Sequence, residues 1–198
     1  MTSVDQSMHW YQSRCSAEPI IYRDISVDVD ARCLHRTVTT AISTKPPDCF
    51  ALRVRGLFFR IYGMDDQMAA EILEKCRSVR YLAIWSYVDP HRDSFPNLQA
   101  ALTSRALSPV QMSLSQFILN PCAVTSRSFT HPILAHITHL DIPYQEKGDW
   151  DWASLELLRS LTHLSIDVYH WDPAQVARDA VQWCPNGLRV LALCLSCD

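Results

Sequence analysis

Ile137-Thr138-His139-Leu140-Asp141-Ile142 is followed, 24 residues on, by Leu161-Thr162-His163-Leu164-Ser165-Ile166. Apolar residues hold the first, fourth and sixth places of both. The same pattern runs through Val54-Arg55-Gly56-Leu57-Phe58-Phe59, Val79-Arg80-Tyr81-Leu82-Ala83-Ile84 and Leu188-Arg189-Val190-Leu191-Ala192-Leu193. A weaker copy is Pro109-Val110-Gln111-Met112-Ser113-Leu114. Fourth-place residues 57, 82, 112, 140, 164 and 191 are separated by steps of 25, 30, 28, 24 and 27. Places four and six alternate, so both side chains point to one face of a short strand. The first-place residue guides the chain into it.

One such unit cannot bury its apolar face alone, and stacking buries it between neighbours. The spacing is that of leucine-rich repeats, about 20–29 residues. The expected fold is therefore α/β: a leucine-rich-repeat-like solenoid of about six parallel strands alternating with helices or loops. Intervening segments supply helical faces: Met68, Ile72, Leu73 and Cys76; Leu98, Ala101, Leu102 and Ala106; Trp152, Leu155 and Leu158; and Val176, Ala177, Ala180, Val181 and Cys184. Asp172-Pro173 opens the last of these with a capping residue and a first-turn proline. Residues 121–136 read mostly as loop, with one turn after Pro132. Residues 19–29 read as a strand and 29–43 as a helix, with Ala31, Leu34, Val38 and Ile42 near one face. The expected division is a poorly ordered stretch or remnant over 1–18, a strand and helix covering the array over 19–47, and the array over 48–198.

Composition removes several classes. The chain has 198 residues, 48% hydrophobic and 20% charged, which is too apolar for a disordered chain. A net charge of -3 offers no basic patch for nucleic acid. Four glycines argue against glycine-rich phosphate loops. No apolar run approaches the roughly 20 residues of a membrane span. The eight cysteines sit mostly in or beside apolar runs, as reduced core thiols do, and residues 1–12 are polar. These features predict a cytoplasmic or nuclear location with no membrane partner.

Candidate chemistry is sparse. The chain holds no G-x-S-x-G, H-E-x-x-H or G-x-x-x-x-G-K-S/T motif, so neither an enzyme nor a cofactor is expected. His139 and His163 occupy one place in successive repeats, beside Asp141 and Ser165. Such a set could hold a metal, but a surface ladder of His packed on His, which the twin Thr-His-Leu copies already explain, is the preferred reading. Cys194-x-x-Cys197 is the spacing of half a zinc site, without a second close pair. Trp85, Tyr87, Tyr144, Trp150, Tyr169 and Trp171 fall at the carboxyl ends of strands and are expected along one rim, whereas Trp152 lies on the apolar helix face and is expected in the core.

Residues 17–25, Ala17-Glu18-Pro19-Ile20-Ile21-Tyr22-Arg23-Asp24-Ile25, resemble the end of an F-box and its junction with a repeat domain. His131-Pro132-Ile133-Leu134 before the 137–142 copy, and Cys184-Pro185 before Leu188, are similar to the repeats of fungal F-box-like proteins, those of mushroom-forming species especially. In that family the F-box binds the Skp1-type adaptor of a cullin ubiquitin ligase and the repeats hold substrates. Only the last third of an F-box fits before Tyr22, so an adaptor surface is not expected to be whole here. The resemblance implies a protein-interaction module, the substrate-recognition part of such a receptor or a fragment of one. Its expected partner-binding residues are Tyr81, Gln111, His139 and His163 in one exposed row, Asp141 and Ser165 in the next, and Trp85 and Asp167 at strand ends. The alternative is a small metal-binding or redox protein using His139/His163 or Cys194/Cys197.

Overall fold

The computed structural model of the chain describes residues 23–27, 31–40, 49–61, 65–86, 95–104, 106–115, 118, 127–144, 150–168 and 172–195. Nine strands run through them: β1 (Asp24–Val27), β2 (Gly56–Ile61), β3 (Tyr81–Ser86), β4 (Gln111–Leu114), β5 (Arg127–Ser128), β6 (His139–Tyr144), β7 (Trp150–Asp151), β8 (His163–Val168) and β9 (Val190–Leu195). Helices α1 (Ala31–Thr39), α2 (Cys49–Arg53), α3 (Asp66–Lys75), α4 (Pro96–Thr103) and α5 (Pro173–Gln182) lie between them, with 3-10 turns at Pro132–His136 and Trp152–Leu157. Seven strands form one sheet in the order β1-β2-β3-β4-β6-β8-β9, and every neighbouring pair is parallel. β5 and β7 make a separate two-stranded piece. The protein is thus α/β, and its open sheet has one strand more than the periodic motif predicts, because β1 pairs along β2.

The same backbone device joins each unit to the next. The carbonyl of Arg23 accepts from the N–H groups of Arg55 and Gly56, and that of Arg55 from Arg80 and Tyr81. Arg80 serves Val110 and Gln111, Val110 serves Thr138 and His139, Thr138 serves Thr162 and His163, and Thr162 serves Arg189 and Val190. Two donors on one carbonyl fix the entry of every new strand beside the last. Register follows: Leu57, Leu82, Met112, Leu140, Leu164 and Leu191 stand in one row, and Phe59, Ile84, Leu114, Ile142, Ile166 and Leu193 in another. In the first five copies both rows are buried. In the sixth, Leu191 and Leu193 are only partly buried.

Helical residues close this core from one side. α3 packs between α1 and α4, burying Ala69, Ala70, Ile72 and Leu73. Asp65 caps α3 by accepting from the Gln67 N–H at 3.1 Å. α4 begins with Phe95 and Pro96, neither able to cap; Asp66 on α3 takes the N–H groups of Asn97 and Leu98 instead, at 2.9 and 3.0 Å. α5 buries Val176 and Ala180 but leaves Val181 exposed, contrary to the expected shared face. Five positions at 3.6 residues per turn put Val181 about 140° round the helix from Val176. Trp152, Leu155 and Leu158 do not ride an α-helix: Trp152–Leu157 is a 3-10 turn. Their spacing of three is the 3-10 period itself.

Candidate functional site

The sheet face away from the helices forms a groove of about 700 Å³ lined by residues of all seven strands. Its first row reads Asp24, Gly56, Tyr81, Gln111, His139, His163 and Val190 across the register. The second reads Ser26, Phe58, Ala83, Ser113, Asp141, Ser165 and Ala192. Beyond it Arg60 pairs with Trp85, Pro143 with Asp167, and Asp167 with Cys194. The structure therefore brings Tyr81, Gln111, His139 and His163 into one row, sets Asp141 beside Ser165 in the next, and places Trp85 and Asp167 one step further on.

His139 and His163 stack with centroids 4.1 Å apart and planes 6° from parallel. Parallel strands are about 4.8 Å apart, so like side chains in register are forced face to face. Each ring is held by the threonine before it, with Nδ1 2.8 Å from Thr138 Oγ1 and Thr162 Oγ1 respectively. Burial, with His163 nearby, holds the His139 pKa below the usual imidazole value. A metal ion lies close to the plane of each imidazole that ligates it, about 2.0–2.1 Å from the nitrogen. Two stacked parallel planes do not meet at one such point, so this pair is arranged as a stack. Among the described residues no group of three His, Cys, Asp or Glu is placed to hold a metal.

A second chain of contacts crosses the strands diagonally. Trp85 Nε1–H donates to Ser113 Oγ at 2.8 Å, and Ser113 Oγ–H donates to Asp141 Oδ2 at 2.6 Å. The Trp85 ring meets Phe58 edge-on at 5.1 Å, which fixes the indole from its other side. Asp167 has its pKa raised by burial and by the charge of Asp141, against a hydrogen bond from Cys194 that lowers it. Ser113 is the member that sequence reading passed over. Its signal was its register: one step from Asp141 in the same motif place.

Of the other expected residues, Trp85 is the penultimate residue of β3, at its carboxyl end. Trp150 does not line a rim, and Trp152 packs on the core as its place on the apolar face predicts. They cluster with Phe129, at 4.8 and 6.0 Å, and pack on the core, because β5 and β7 bring these segments together. Tyr87, Tyr169, Trp171 and Cys197 lie outside the described residues. Cys194 is exposed on β9, whereas Cys76 is wholly buried and its thiol is pushed up to about 12, which leaves it protonated and unreactive. No helix among the described residues is long and apolar enough to cross a membrane. Comparison with family models, curated proteins and solved structures finds no match to this chain.

Proposed function

We propose that the chain is a protein-interaction module of the leucine-rich-repeat-like solenoid type, binding its partner in the groove. The observation that carries this reading is the groove itself: one continuous face of seven strands, with Trp85, Ser113 and Asp141 tied in place before any partner arrives. Pre-set polar groups beside aromatic rings are what recognition by a few anchors needs, since less ordering remains to be done on binding. The repeated two-donor carbonyl, recurring with the motif, supports the solenoid assignment. The resemblance at residues 17–25 and 131–142 supports a finer role, as the substrate-recognition part of an F-box-type ubiquitin ligase receptor.

Affinity capture from native cells with the intact chain tests the reading. Alanine at Trp85 and at His139 should each weaken recovery of the same partner while the chain stays folded by circular dichroism. Unchanged recovery with both replaced would refute the groove as the binding face. Recovery of a Skp1-type adaptor alongside a substrate would favour the ligase role, and a partner without the adaptor would count against it.

A further inference from the structure

The next step rests on the groove reading and concerns the chemistry of the partner. The groove has two unlike halves. β2 and β3 contribute the rings of Phe58 and Tyr81, Tyr81 being 43% exposed, and Trp85 packs on Phe58 just beyond the groove lining. β6 contributes the carboxylate of Asp141, and Asp167 stands on the neighbouring strand β8 one row further on, just beyond the groove lining; Asp24 on β1 adds a carboxylate at the far end, beside Arg23. Among the described residues no ion pair joins Asp141 or Asp167 to a cation, and Asp141 accepts from Ser113. Arg60 stands on β2, with β3 and β4 between it and Asp141. Beside these aspartates, burial and the neighbouring His163 lower the His139 pKa and so disfavour its cationic form.

We infer that the groove takes a segment of a partner protein carrying an arginine side chain, whose guanidinium meets Asp141 and Asp167 and whose stem lies toward the rings of β2 and β3. Charge complementarity selects this occupant. A guanidinium offers five donors in a planar fork, so it can serve two carboxylates at once. Ser113 occupies Oδ2 of Asp141, which leaves Oδ1 to receive one of those donors. A cation between the two aspartates replaces their mutual repulsion with attraction. An acidic or phosphorylated segment would bring like charge to the same place and is disfavoured.

The test is an amide-resolved NMR titration of the intact chain with N-acetyl-arginine amide, and separately with N-acetyl-glutamate amide. The arginine compound should give saturable shifts at β6 and β8, and the glutamate compound none. In the double variant Asp141→Asn/Asp167→Asn, with a spectrum as dispersed as the parent's, the arginine affinity should fall about tenfold or more, the weight of one charge-assisted hydrogen bond. Equal responses to the two compounds, or an arginine response undiminished in the double variant, would overturn the inference. The groove reading fails separately: it falls if Trp85→Ala and His139→Ala leave partner capture intact. If those variants abolish capture while Asp141→Asn/Asp167→Asn does not, the groove stands and the arginine assignment falls.

Discussion

His131 and His139 are half-buried histidines with opposite neighbourhoods and the same response to acid. The Ile133 N–H donates to His131 Nδ1 at 3.3 Å, so this ring caps the turn that follows only while that nitrogen keeps its lone pair. Burial holds the His131 pKa down; for His139 burial does so first and His163 adds to it. In the unfolded chain both titrate near about 6.5. Between the lowered folded values and that point the unfolded state binds more protons. The contribution to stability is therefore complete above about pH 6.5 and is lost as pH falls through the folded values. The urea midpoint should drop between about pH 7.5 and about pH 5. His131→Asn keeps a capping side chain without a titrating ring, and His139→Gln removes the other proton acceptor. The double variant should show a visibly flatter midpoint-versus-pH curve, and a slope as steep as the parent's would refute this assignment.

At the scale of the element, capping shows which interactions sequence reveals. Asp172 accepts from the Ala174 N–H at 2.9 Å, and the Asp172-Pro173 pair announces α5 because cap and helix are contiguous. Asp66 is equally decisive for α4, yet the N–H groups it takes lie 31 and 32 residues away. No local pattern marks a side chain that leaves its own helix to cap the next. Asp172→Ala should cost about 1 kcal/mol, as single caps do, and Asp66→Ala about 2 kcal/mol, since two donors lose their acceptor. Denaturant unfolding checks both, and a smaller loss for Asp66→Ala would show that α4 finds another cap. The same division runs through the groove. His139, His163 and Asp141 were legible because twin motifs place them in register. Ser113 and its bond to Trp85 were not, because a diagonal contact over 28 residues depends on side-chain reach. Trp150 was misplaced because its strand partner, β5, is two residues long and carries no periodicity.

For the molecule as a whole, the stacking that buries each unit makes stability a matter of neighbours. Leu164 and Leu191 hold the same motif place on adjacent strands and stand opposite each other. Leu164, 1% exposed, is covered by Leu140 on one side and Leu191 on the other. Leu191 has β8 beside it and, at the end of the sheet order, no further strand among the described residues; it stays half-buried. Val190 and Leu195 on the same strand are exposed, and β9 carries no charge to blunt its open edge. Truncating a leucine removes transfer energy and leaves a cavity, and both terms scale with how fully the site is enclosed. Leu164→Ala should therefore cost about 2–5 kcal/mol, in the range of enclosed leucines, and Leu191→Ala about half as much. Urea unfolding of the two variants at several protein concentrations measures the difference. Equal losses, or a loss at Leu191 that grows with concentration, would mean that β9 is covered in solution and that the array extends past its last strand by association.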